Sequence, residues 1–170
     1  KNIFANLEVN GIENGNAESE VADNILLRNK LGLFTQNLNT LTIHNNLFFD
    51  NETALHFENT HFKVQLNQNT LRNSTSKAIL ALNDSYPNLT NNNFLNNTMN
   101  IVTRGTRNHL GDFLQANDIE AVNNWWGTLN ESEIKAKNRD GTQENVESWL
   151  GKVLITPFLR SEVAEAYPRN

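Results

Sequence analysis

Apolar residues in this chain fall in short alternating pieces, Leu41-Thr42-Ile43, Phe62-Lys63-Val64-Gln65-Leu66 and Ala78-Ile79-Leu80-Ala81-Leu82. Alternation is the mark of strands, whereas a helix would space its apolar residues at i, i+3 and i+4. The pieces themselves recur. One register of asparagines runs through Asn2, Asn24, Asn46, Asn69, Asn92 and Asn117 with steps of 22, 22, 23, 23 and 25 residues, a spacing typical of repeat architectures. Two residues after each marker stand Phe4, Leu26, Phe48, Leu71, Phe94 and Ile119, and three residues before each later marker stand Val21, Ile43, Leu66, Leu89 and Leu114. Strands whose like residues keep register from unit to unit predict an all-β solenoid, with coils stacking at about 4.8 Å. The expected fold is a right-handed single-stranded parallel β-helix of about five to six coils.

An asparagine column suits the inside of a turn. Each amide donates to the asparagine of one neighbouring coil and accepts from the other, as in stacked cross-β ladders. Residues 1–128 therefore read as coils, with a polar surface loop over Glu13 to Glu20 and an insertion over Thr103 to Asp112. In the best registered coils Leu55 and Phe57 are expected beneath Ala78 and Leu80, and Phe34, His56, Ile79 and Val102 are expected to form an outward stripe. Such a stripe marks either a contact or a surface covered by a flanking loop.

Beyond Thr128 the period stops, and residues 129–170 read as a mixed C-terminal cap. Asn130 with Glu133 has the form of a helix N-cap and its box residue, Thr142 is placed to cap a second helix over residues 143–150, and Lys152 to Ile155 reads as a final strand. Trp125, Trp126 and Trp149 are the large groups placed to cover the open end of the stack, with an aromatic sugar platform as the alternative. At the other end the ladder begins at the second residue, after Lys1 and without an initiator methionine. A β-helix starting there exposes a raw sheet edge, so the chain is expected to belong to a larger protein or assembly.

The unit Asn92-Asn93-Phe94-Leu95-Asn96-Asn97, its looser copy at Asn46 to Asn51, the run Asn123-Asn124-Trp125-Trp126-Gly127-Thr128 and the later Pro157-Phe158-Leu159 carry a family resemblance. They resemble the right-handed parallel β-helix proteins of the pectate-lyase-like superfamily. Within it the chain is most similar to the extracellular β-helix modules of Bark beetle/Anakonda adhesion proteins and to related bacterial surface β-helices. The resemblance implies a non-catalytic scaffold or adhesive surface at the cell exterior, without a cofactor.

Composition narrows the partners. A net charge of −5 over 170 residues, with scattered Lys and Arg, argues against nucleic acid or an anionic membrane surface. No window approaches the roughly 18 apolar residues of a membrane span. Without cysteine the fold owes nothing to disulfides. Among the 32 asparagines, Asn51, Asn73, Asn83, Asn88, Asn96 and Asn130 begin glycosylation sequons, compatible with secretion. Asn73 and Asn96 share one turn position in adjacent coils, where two glycans would crowd, which leaves Asn51, Asn83, Asn88 and Asn130 as candidates.

Polysaccharide lyases of this resemblance hold calcium-binding carboxylates and a basic residue on one outward strand face. Here the corresponding columns read Thr42, Gln65, Asn88, Phe113 and His44, Asn67, Thr90, Gln115, with no carboxylate, Arg or Lys. No catalytic residue is therefore assigned. Asp112 with Asp118, and Asp84 with Glu58, are the nearest candidates for a glycosidase pair, though loop carboxylates of this kind are ordinarily solvated. His44, His56, His61 and His109 lack metal-ligand spacing, so no metal site is expected. Two function classes stay open. One is a non-catalytic module contacting protein or glycan at the cell surface. The other is a carbohydrate-binding or polysaccharide-processing domain, with His44, Gln65, Asn67 and Thr90 hydrogen-bonding sugar hydroxyls and Tyr86 offering a stacking face.

Overall fold

Parallel pairing of short strands, at offsets of 21 to 24 residues between the first five coils, builds three sheets that wrap one core. The computed structural model describes residues 1–15, 18–36, 40–60, 64–83, 85–104, 106–107, 113–114, 118–139 and 152–169. The first sheet holds Ile3–Ala5, Ile25–Leu27, Leu47–Phe49, Thr70–Arg72 and Asn93–Leu95. A second, six-stranded sheet holds Asn10–Gly15, Leu31–Gln36, Thr53–Glu58, Lys77–Leu82, Met99–Arg104 and, at its far edge, Asn138–Arg139. Glu18–Ala22, Thr40–His44, Val64–Asn67 and Asn88–Thr90 form the third. The fold is the right-handed parallel β-helix with a small cap that the alternation implied.

The core is a set of vertical columns. Phe4, Leu26, Phe48, Leu71 and Phe94 lie in register down the first sheet, and Val21, Ile43, Leu66 and Leu89 down the third. Leu33, Leu55, Ile79 and Ile101 line the second. In each of these second-sheet strands at least two consecutive residues are buried, as at Gly32-Leu33, Ala54-Leu55 and Ala78-Ile79. Coils approach closely there: a Cβ on Gly32 would sit 2.5 Å from the Ala54 carbonyl oxygen. The doubled inward position corrects the alternation read from sequence. Leu55 pairs with Ile79 and Phe57 with Ala81, and the outward stripe contains Leu80 where Ile79 was expected.

Turns account for the asparagine content. At two corners of every coil a non-glycine residue adopts left-handed backbone, through Asn6, Arg28, Asp50, Asn73 and Asn96 at one and Asp23, Asn45, Gln68, Asn91 and Asn123 at the other. Asn and Asp tolerate this region better than other residues bearing a Cβ.

The register breaks once, in the fifth coil. Asn92 bonds the side chain of Asn124, 32 residues on, and not a residue at a 25-residue step. Asn117, expected there, lies outside the described residues. The intervening chain forms an inserted antiparallel pair, Thr106–Arg107 with Phe113–Leu114, so Leu114 and Phe113 leave the columns assigned to them. Ile119 pairs with Val153 in a two-stranded parallel extension, Ile119–Glu120 with Val153–Leu154. Its expected place beneath Phe94 is filled by Trp126, whose ring stacks on Phe94 with centroids 4.5 Å apart. Trp125 is half-buried and bridges Asn93, while Trp149 and the helix expected at 143–150 lie outside the described residues. A short helix, Glu131–Ala136, starts at Asn130, whose side chain accepts from Ser132 N and donates to Glu133 Oε1.

Candidate functional site

The ladder is structural, and its geometry sets how rigid the outward faces are. In each rung Nδ2 donates to Oδ1 of the next coil's asparagine, from Asn2 through Asn24, Asn46, Asn69 and Asn92 to Asn124, at 3.0–3.2 Å. That same Oδ1 also accepts the backbone N–H of the preceding rung, and Nδ2 further bonds the carbonyl two residues earlier. Asn24, Asn46, Asn69, Asn92 and Asn124 are buried, which demands this complete satisfaction.

A second column, five residues after each marker, passes through Asn29, Asn51, Ser74 and Asn97. Asn51 Oδ1 accepts from Asn29 N and its Nδ2 donates to Leu26 O; Asn97 repeats the pattern toward Ser74 N and Leu71 O. Asn51 is 0% exposed and so cannot accept a glycan on the folded protein. That corrects its place among the sequons. Of the others, Asn83 donates to Glu58 Oε1 and Asn130 caps its helix, while Asn88 belongs to the face described next.

Four of the five predicted ligand residues stand on the outward face of the third sheet. Thr42, Gln65 and Asn88 lie in one column, and His44, Asn67 and Thr90 in the next. Tyr86 joins Gln65, Pro87 and Asn88 along a groove of about 240 Å³. The expectation that these columns lack carboxylates is overturned. Glu20 pairs with Thr42 one coil upstream, and Asp118 and Glu120 line the groove at its downstream end. Glu20 was visible 22 residues before Thr42. The acids downstream were hidden by the 32-residue step, which brings Glu120 beside Asn88, with Nδ2 to Oε2 at 3.5 Å.

The charged groups of this face are held by fixed partners. His44 Nε2 lies 2.6 Å from Glu20 Oε1 and Nδ1 lies 2.8 Å from Asn45 Oδ1. Asn45 Nδ2 donates to Glu165 O, so its Oδ1 is an acceptor and both imidazole nitrogens face acceptors. Burial works to lower the His44 pKa, but the hydrogen bonds to Glu20 and Asn45 and the negative charges of Glu20 and Asp23 outweigh it, and the net shift is upward. Asp118 Oδ1 accepts from Lys152 N at 2.8 Å. His56 lies on the second sheet, edge-on to Phe34 with centroids 5.1 Å apart, and burial lowers its pKa despite the Glu58 charge.

A family model described as "Periplasmic copper-binding protein (NosD)" matches residues 1–141. The chain belongs to the NosD family. That description places the family in the periplasm, which agrees with a β-helix module working outside the cytoplasm. No helix among the described residues is long and apolar enough to cross a membrane. No curated protein and no solved structure matches the chain significantly.

Copper centres draw on imidazole and sulfur ligands, and the donors here can be tested against that need. Among the described residues no three His, Cys, Asp or Glu side chains come together, and the whole chain has no Cys and a single Met. Both His44 nitrogens are engaged, and His56 stands on another sheet. The described residues of this NosD-family β-helix do not fit a copper centre. His61 and His109 lie outside them.

Proposed function

We propose that this NosD-family chain is a non-catalytic β-helix module, a rigid scaffold whose outward faces contact a protein or glycan partner outside the cytoplasm. One observation carries the reading. The imidazole and the carboxylates on the most polar registered face are engaged with one another or with the chain's own amides, through Glu20 with His44, Asp118 with Lys152 N and Glu120 with Asn88. A general acid or base must reach substrate within hydrogen-bonding distance, whereas here these groups stiffen the face. The bulk of the protein serves the same end, with stacked cores and ladders that fix the spacing of surface side chains. An adhesive role like that of Bark beetle/Anakonda-type modules is the finer form of this proposal.

Carbohydrate binding is the second reading, and the groove beside Tyr86 favours it. An aromatic ring, two amides and two carboxylates around about 240 Å³ resemble the mix of apolar wall and convergent polar groups of a ligand pocket. Glu20, Asp118 and Glu120 make the registered face acidic, so it would select neutral or amine-bearing sugars over acidic polysaccharide. A glycan-array screen of the purified protein, with product analysis of every hit, tests both readings. Turnover of any polysaccharide would end the non-catalytic proposal. Binding without products, lost in Tyr86→Ala, would support the second reading, and silence on the array together with protein binding would support the first.

A further inference from the structure

The C-terminal tail does not end at the cap. After Pro157 O accepts from Asn123 N, and Leu159 N donates to Asn124 O, the chain turns back along the corner between the third and first sheets. It then crosses successive coils toward the N-terminal end. Asn93 clamps one residue of it from both sides, with Oδ1 accepting from Val163 N at 2.8 Å and Nδ2 donating to Val163 O at 2.9 Å. One coil up, Thr70 Oγ1 donates to Ala166 O. Next, Asn45 Nδ2 donates to Glu165 O, and Asn45 Oδ1 accepts from Arg169 Nη2. Last, Asp23 Oδ1 accepts from Arg169 N.

Three features of this corner are those of a peptide site. Its floor reads main chain: five of the six bonds just named to residues 163–169 go to backbone N–H or C=O of the tail, as in recognition of extended segments. Its selectivity rests on two places, a slot in which Ala166 is 0% exposed and the Asn45 amide oxygen, which accepts from the Arg169 guanidinium while Asp23 Oδ1 accepts the backbone N–H of the same residue. Its side chains are outward-facing yet buried. Thr70 and Asn93 precede the inward residues Leu71 and Phe94 in their strands, and both are 0% exposed with the tail lying across them.

The occupant is held lightly. Of residues 160–169 only Ala166 is buried, so ordering this backbone is opposed by conformational entropy with little apolar burial to offset it. Segments of that kind open locally long before the core does.

We propose that the corner floored by Asn45, Thr70 and Asn93 is a binding site for an extended polypeptide segment carrying a small residue at the Ala166 position and a basic residue at the Arg169 position. The chain's own tail is the resident occupant, which such a partner displaces. This surface is separate from the Tyr86 groove, so its test does not depend on glycan binding.

The test uses the full chain and a fluorescent peptide of residues 160–169. Two tail variants, Ala166→Leu and Val163→Pro, leave the coils untouched, and circular dichroism with the urea midpoint confirms their fold. In both, hydrogen exchange over 160–169 should rise at least about tenfold while the ladder amides of Asn46 and Asn69 stay protected. With the internal competitor released, both chains should bind the peptide at least about tenfold more tightly than the wild type does. Peptide carrying Ala166→Leu should not bind, and Asn93→Leu in the Ala166→Leu chain should abolish binding of the unmodified peptide. A concentration-dependent dimer of the wild type, lost in Val163→Pro, would be the same site filled by a second copy's tail and counts in favour. A released tail with no peptide binding, or equal binding of both peptides, would overturn the proposal.

Discussion

Replacing Asn69 by Ala removes the central rung of the main ladder, and the structure shows what is lost. Asn69 Oδ1 accepts from Asn46 N and Asn46 Nδ2, each at 3.0 Å. Its Nδ2 donates to Ile43 O, Asn67 O and Asn92 Oδ1. After truncation Asn46 Nδ2 keeps Val21 O and His44 O, and Asn92 Oδ1 keeps the backbone N–H of Asn69. The Asn46 backbone N–H is left facing a void where its acceptor was. An orphaned buried donor costs about 1–3 kcal/mol, and the remaining shared bonds add about 1–2 kcal/mol, for a loss of about 2–5 kcal/mol. Asn69→Asp separates the two halves of the rung, because it keeps the acceptor and replaces the donor with a buried charge facing three oxygens. It should be worse than Asn69→Ala at neutral pH and recover ground on acidification. Asn73→Ala is the reference: Asn73 is half-exposed and its Nδ2 donates to Asp50 Oδ1, so the loss is about 1–2 kcal/mol, largely for left-handed backbone at φ 57°. Urea titrations followed by far-ultraviolet circular dichroism measure all three. An Asn69→Ala loss no greater than that of Asn73→Ala would refute the ladder as a source of stability.

Further outcomes follow from other sites. Phe48→Ala, at a fully buried position between Leu26 and Leu71, should cost about 3–5 kcal/mol by the same titration, and a cost below about 1 kcal/mol would contradict the packed column. Ser74 interrupts the second ladder with a buried hydroxyl lacking a partner; Ser74→Asn should raise stability by about 1 kcal/mol, whereas a lower urea midpoint would show that the corner has no room for the amide. His44 has a raised pKa in the folded protein, so its contribution is complete below about pH 6.5 and is lost as pH rises through the higher folded value. His56 is shifted the other way, so the quantity to measure is the stability difference between wild type and His44→Gln, which should shrink as pH rises above about 6.5; a difference that grows with rising pH would refute the pairing with Glu20 and Asn45.

Local chemistry repeated at a fixed interval was enough to read the fold. Alternation at Leu41 to Ile43, the Phe4 to Phe94 column and the Asn2 to Asn92 ladder each follow from residues that see the same neighbours in every coil, and a parallel stack converts sequence period directly into spatial contact. A second ladder at Asn29, Asn51 and Asn97 is equally periodic, but its column is interrupted by Ser74. What the period could not carry was decided in three dimensions. The length of the fifth-coil insertion depends on which later residue can complete the Asn92 rung. Asn124 does so, and Trp126 rather than Ile119 closes the Phe94 column. That choice also sets the candidate site, since Asp118 and Glu120 reach Gln65 and Asn88 only at the 32-residue step. The doubled inward position at Ala78-Ile79 arises where a strand enters its corner, a bend invisible to alternation. The course of the tail is the clearest case. Arg160 to Arg169 has no period and buries only Ala166, so its path is dictated by outward side chains, Asn93, Thr70, Asn45 and Asp23, that converge on one corner only after the coils have stacked.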